Sequence, residues 1–191
     1  MVKGSMMIDL SHPRDLAMIG AVFGLAAFMW SGWAQEEPPN HFSFRVILGG
    51  LSAAGLALTV PSILLAIRYW SESSAIDSGT TAFTVYIVVV WVEMIAGGVL
   101  AFLAIRSGHA DWVAPLILAI VGVHFFALAV VFAQPVIHLA GVLITLIAVV
   151  AFLVPKGIAA PSFWCGLIGA PVFLAIGLWC LLAGRTAMAA N

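Results

Sequence analysis

Charged and strongly polar residues fall at intervals along this chain, and between them run six long apolar stretches. These are Leu16 to Ala34, Val46 to Trp70, Thr81 to Ile105, Trp112 to Ala133, Val136 to Val154 and Pro161 to Ala183. Each is close to the ~20 residues that a helix needs to cross a ~30 Å hydrocarbon layer. The links are short: "QEEPPNHFSFR", "SESSAIDSG", "RSGHAD", "QP" and "PKGIAA". Short links force consecutive helices to run antiparallel. The pattern therefore predicts an all-α integral membrane protein: one domain over residues 1–191, a compact bundle of six transmembrane helices with both termini on the same side.

Composition strengthens this reading. Of the 191 residues, 64% are hydrophobic and 8% charged, far from the roughly one quarter charged of soluble domains. A net charge of −1 with no Lys/Arg-rich run excludes nucleic acid as a partner, because that binding rests on many basic contacts to phosphate. Membrane lipid is the partner the composition predicts. Cys165 and Cys180 have no C-x-x-C spacing and read as small apolar core residues. No phosphate loop, metalloprotease motif, nucleophile elbow or ligand-spaced Cys/His set is present, so neither cofactor nor metal is expected and a non-catalytic role is favoured.

The Lys/Arg balance of the loops predicts orientation. Lys3, Arg14, Arg68 and Arg185 fall on the side of the termini, against Arg45, Arg106 and Lys156 on the other, which favours cytoplasmic termini. Small residues before a cleavage point, Gly32 and Ala34, permit a signal-peptide reading of the first segment. Trp30, Trp33 and the length of the run favour a retained helix. Pro61 and Pro171 lie inside helices, where each frees the carbonyl four residues earlier, at Ala57 and Leu167. No internal repeat relates the first three helices to the last three.

In lipid, helices associate through small residues that let backbones approach, helped by hydrogen bonds. Such residues form stripes here: Gly20, Gly24, Ala27 and Ser31; Gly49, Ser52, Gly55, Thr59 and Ser62; His138, Gly141 and Thr145; Gly166, Gly169, Gly177, Cys180 and Gly184. The stripes predict helix contacts. A more specific expectation is that Thr59, Ser62 and Thr145 line a narrow polar cavity.

One residue interrupts the apolar pattern. Glu93 stands in "VVVWVEMIAGG", and a charge at the bilayer centre costs ~2.5–3.5 kcal/mol on insertion scales, so it is expected to face the interior and find a partner. Depth identifies that partner. Glu93 is 13 residues before Arg106 and His124 is 13 after Asp111, which sets both ~20 Å from the same turn on adjacent antiparallel helices. Gly97 and Ala127 are expected to leave room for the approach. Opposed effects of burial and pairing make a shared proton plausible, hence a protonation switch or relay; the plainer alternative is a hydrogen bond fastening two helices. Tyr86, two turns before Glu93, is a candidate extension of the path or an interfacial anchor. His138 differs from His124 in depth by ~9 Å, which disfavours a bis-histidine haem. Arg45 reads as a flanking charge, and the acidic "QEEPPNH" loop has too few carboxylates to require a divalent cation.

At "IVGVHFFALAVVFAQPVIHLAG" the chain resembles a group of small uncharacterised bacterial polytopic membrane proteins with a G-x-H-F-x-x-L-A-x-x-F helix. The matching positions are Gly122, His124, Phe125, Leu128, Ala129 and Phe132, with Glu93 as the acidic residue of the preceding helix. The resemblance covers about one and a half helices. It implies a bacterial inner-membrane protein and carries no activity with it. The residues leave three functions open: proton-linked transport of a small solute, for which six helices with short loops would be expected to pair as a homo-oligomer; a non-catalytic lipid-binding or assembly role; and, least favoured, a membrane enzyme, which would need further polar side chains converging on the pair. A cavity reached from one side would mark the first, and a lateral opening between helices the second.

Overall fold

The computed structural model describes residues 7–155 and 157–190; Lys3 and Lys156 of the charge count lie outside them. Six helices account for most of it: α1 (Pro13–Trp33), α2 (Phe42–Arg68), α3 (Thr81–Arg106), α4 (Val113–Val131, preceded by a 3-10 turn over Ala110–Trp112), α5 (Pro135–Leu153) and α6 (Pro161–Ala189). All six are long and apolar enough to span a membrane, and no strand occurs among the described residues. The chain is a multi-pass helical membrane protein.

The helix ends follow local chemistry. Proline opens α1, α5 and α6, where its missing N–H would have no partner anyway. Thr80 caps α3 by accepting the Phe83 amide at 3.1 Å. Two helices extend four or more residues beyond the apolar runs that announced them. α2 starts at Phe42 rather than Val46 because Phe44 packs edge-on against Phe163, ring centroids 5.3 Å apart. α6 continues past Ala183 to Ala189, drawing Met188 into a buried cluster with Ala17 and Ala66.

Two helices end in the same hydrogen-bonded turn. At α3 the His109 amide donates to the Ala104 carbonyl (2.8 Å) and Gly108 to Ile105 (3.1 Å), with Gly108 left-handed at φ 79°. At α4 the Gln134 amide donates to Ala129 (2.9 Å) and Ala133 to Val130 (3.2 Å), but the left-handed position, φ 51°, is held by an alanine. This is the Schellman arrangement, which glycine favours because it has no Cβ to clash.

Packing centres on α1, which runs between α2 and α6. A Cβ added to Gly55 would lie 2.6 Å from the Gly24 carbonyl oxygen, and one added to Gly24 would lie 2.8 Å from that of Gly55, so the α1 and α2 backbones touch. Gly177 meets Phe23 and Leu58 in the same way, and Gly184 meets the Pro13 carbonyl, bringing the start of α1 beside the end of α6. Gly122 of α4 is pressed against the Thr145 backbone of α5. Where α1, α4 and α6 converge, Phe23, Phe125 and Phe173 form an aromatic knot with centroids 5.2–6.1 Å apart. Cys165 and Cys180 are free and buried in this core.

Two stripe positions, and the glycine expected to admit the partner of Glu93, do not behave as contacts. Gly49 and His138 are exposed, the latter with its ring against Phe126, and nothing lies within 4 Å of a Cβ added to Gly97.

The segment before α1 is fastened to the far side of the sequence. The buried Gln134 side chain donates to the Asp9 carbonyl (2.8 Å) and accepts the Asp9 amide (3.1 Å), while the Val136 amide donates to the Met7 carbonyl. A glutamine amide thus completes the hydrogen bonding of an extended strap, and Ile8 fills the core beneath it.

Candidate functional site

α3 differs from the other helices because its packing is almost wholly against α4 and the 3-10 turn. Held away from α1, it leaves a cleft of about 1300 Å³. One wall is the α1 face with Met18, Val22 and Met29; the other is the α3 face with Phe83, Val90 and Met94. The floor is α4, through Val121, Phe125 and Leu128. The cleft extends from Arg14 to Trp33 along α1, 19 residues or ~29 Å of helix rise, about the thickness of the hydrocarbon layer.

Glu93 and His124 meet in this cleft, half way along α3. His124 Nδ1 lies 3.2 Å from Glu93 Oε1, with the side chains 13% and 21% exposed. The distance is that of an ion pair, but the two groups are misaligned and Nδ1 makes no hydrogen bond. Both residues border the cleft although Nδ1 itself is enclosed, and a carboxyl and an imidazole together have more hydrogen-bonding capacity than one mutual contact uses. The approach is made without Gly97, which faces open space.

Tyr86 also lines the cleft, its ring edge-on to Phe132 at 5.9 Å. The other expected lining residues do not. Thr59 donates to the Gly55 carbonyl (2.9 Å) and Ser62 to that of Leu58 (2.7 Å), so each hydroxyl is satisfied within its own helix and buried against α1. Thr145 is half-buried against Gly122 at the α4–α5 contact, its hydroxyl enclosed there without a hydrogen-bond partner. These three side chains seal helix seams. Their spacing on small-residue stripes marks them as contact positions, and contact in a bundle excludes the very space a cavity needs.

Both mouths of the cleft are polar. At one, the buried carboxylate of Asp15 accepts the Ser74 hydroxyl (2.9 Å) and the Ala75 amide (2.7 Å), and Arg14 donates to the Trp70 carbonyl (2.6 Å) while stacking over its ring. These bonds fix the α2–α3 loop to the first turn of α1. Sequence reasoning passed over Asp15 because it stands next to an arginine in a polar segment; its position in the first helical turn, where negative charge is favoured, was the available signal. At the other mouth Trp33 stacks on Trp30 and donates to Glu36 (2.9 Å). Arg45 lies outside the cleft, donating to the Gln35 carbonyl as Gln35 returns a bond to its own.

Among the described residues no group of three or more His, Cys, Asp or Glu is arranged to hold a metal ion. No protein-family model, curated protein or solved structure matches the chain. The reading of the site thus rests on its own geometry.

Proposed function

We propose that this protein binds a lipophilic molecule drawn from the surrounding bilayer, in a non-catalytic carrier or assembly role. The carrying observation is the cleft between α1 and α3, as deep as the hydrocarbon layer and walled chiefly by apolar side chains. Its two wall helices do not pack together along their length, which favours entry sideways from lipid, where a hydrophobic ligand already resides. The resemblance at the His124 helix points to a bacterial inner membrane, and Arg14, Arg68 and Arg185 favour cytoplasmic ends.

Native mass spectrometry of the gently solubilised protein tests this reading. A stoichiometric lipophilic adduct is expected for wild type and its loss in Val90→Trp, which fills the cleft from α3. An adduct retained at the same occupancy in the variant would refute the assignment.

Proton-linked transport of a small solute is a second reading, favoured by one observation: Glu93 and His124, the acid and base of the midplane, both border the cleft. It would make α3 the moving element and pair naturally with self-association through its bare outer face.

A further inference from the structure

Away from its two mouths, the described wall of the cleft carries polar side chains only at Tyr86 and at the Glu93–His124 pair. Along α1 the stretch between the mouths is Met18, Ile19, Val22, Phe23, Ala26 and Met29, with no hydrogen-bonding side chain. On α3 the nearest polar neighbour of Glu93 that borders the cleft is Tyr86, seven residues earlier, ~10 Å along the axis. An occupant that is hydrocarbon throughout would leave a carboxyl and an imidazole facing apolar atoms, and buried polar groups without partners are costly. A phospholipid would do the same, since its charged head belongs at the interface, ~15 Å from the pair.

The chemistry of the pair narrows the head group further. Whether the proton resides on the carboxyl or on the imidazole, the two side chains together present at least one donor and several acceptors. An anionic head would face a carboxyl group, and a group that only accepts, such as a ketone or ester, would leave the glutamate oxygens unmatched. A hydroxyl both donates and accepts. It is small enough for a site bordered by Val90, Met94, Val121 and Phe125, and it is uncharged, so it enters the bilayer centre without the cost of an ion.

Resting on the cleft as a lipid-binding site, we infer that its ligand is a lipid-soluble alcohol or phenol whose hydroxyl binds against the cleft-facing side of the Glu93–His124 pair at mid-depth, with its hydrocarbon or isoprenoid chain along the α1 and α3 walls.

The full-length protein in nanodiscs is titrated with geranylgeraniol, with the saturated hydrocarbon of equal length and with palmitate. Quenching by a brominated form of each reports occupancy through Trp30, Trp33 and Trp70, which border the cleft. The alcohol is expected to bind at least about tenfold more tightly than the hydrocarbon, as one added hydrogen bond supplies about that factor. Glu93→Gln, whose amide also donates and accepts, should keep the preference to within about threefold. Glu93→Leu and His124→Leu should bring alcohol and hydrocarbon to equal affinity, and monodispersity on gel filtration confirms that each folds. Val90→Trp should remove both. Equal binding of alcohol and hydrocarbon to wild type, or tighter binding of palmitate, would overturn the head-group assignment while leaving the cleft a lipid site. Failure of every probe to bind, or binding unaffected by Val90→Trp, would overturn both.

Discussion

α1 and α3 are neighbouring walls of one cleft, yet they are built on opposite terms. Twelve of the 21 residues of α1 are buried, while of the 26 in α3 only Ala104 is. Apolarity runs the other way, for α3 is the more hydrophobic helix and α1 the least hydrophobic of the six. Lipid explains the inversion. A hydrocarbon solvent gives apolar side chains no reason to leave it, so burial depends on whether backbones can come close. α1 offers Gly20 and Gly24 to α6 and α2 and adds the Ser31–Ser52 hydroxyl contact at 2.8 Å. The Gly97 and Gly98 pair of α3 meets nothing within 4 Å, and large apolar side chains such as Val88, Trp91, Ile95 and Phe102 are exposed along the helix. The better-packed helix is the firmer wall of the cleft, and the less buried one the looser wall, the one the proposed ligand would displace.

Leucine substitutions break this comparison most directly. Gly55→Leu and Gly24→Leu force side-chain atoms into a neighbouring backbone 2.6–2.8 Å from where Cβ would stand, and each is expected to cost at least about 3 kcal/mol or to prevent folding. Gly97→Leu and Gly98→Leu should change stability by no more than about 0.5 kcal/mol. Thermal melts in one detergent suffice; equal losses at all four positions would mean that α3 is packed as α1 is. Gly169 belongs between these extremes, since a Cβ there would make only ordinary contact with Ile144 at 4.0 Å.

A smaller effect is expected where the two walls are tied at one mouth. Asp15→Ala removes the acceptor of two hydrogen bonds from the α2–α3 loop and should cost about 2 kcal/mol. Hydrogen exchange should quicken at Ala75 and at the start of α3 while the α1–α6 seam remains protected. Unchanged exchange at Ala75 would show that the loop does not depend on the carboxylate.

Glu93→Gln sharpens the comparison at mid-depth. Interhelical polar contacts in membranes are worth about 0.6 kcal/mol on average, so the variant should melt within about 1 kcal/mol of wild type. If α3 moves with protonation, any pH-dependent flux or ligand binding between pH 5 and 8 in vesicles disappears in the variant, because a population shift needs a difference between protonation states. Identical pH dependence in both proteins would eliminate the proton-linked reading.

The smallest expected change concerns the two matching helix ends. Ala133→Gly relieves a left-handed alanine and should stabilise by about 0.5 kcal/mol, the relief offset in part by a freer unfolded chain. Gly108→Ala should destabilise by about 1 kcal/mol. Equivalent melting shifts of the same sign would refute the shared turn geometry.

The sequence by itself determined the class, the six spans and the meeting of Glu93 with His124. Length in apolar residues is set by the thickness of the bilayer, and a tight turn between antiparallel helices makes equal distance from it equal depth; both are one-dimensional properties that a sequence carries directly. Small-residue stripes likewise marked Gly24, Gly55, Gly177 and Gly184 as contacts, since only a missing side chain permits such approach. Tertiary structure alone decided what lies between the helices. Thr59, Ser62 and Thr145 are as polar as a cavity lining would require, and nothing in their spacing distinguishes a hydroxyl facing a void from one bonded to its own helix, as at Thr59 and Ser62, or closed into a helix seam, as at Thr145. The cleft exists because α3 packs on α4 and stands away from α1, and that placement follows from contacts distant in sequence: Gly122 against Thr145, the knot of Phe23, Phe125 and Phe173, and the loop that Asp15 holds. Hydrophobic pattern cannot encode it, because in lipid the exposed face of a helix and its buried face are equally apolar.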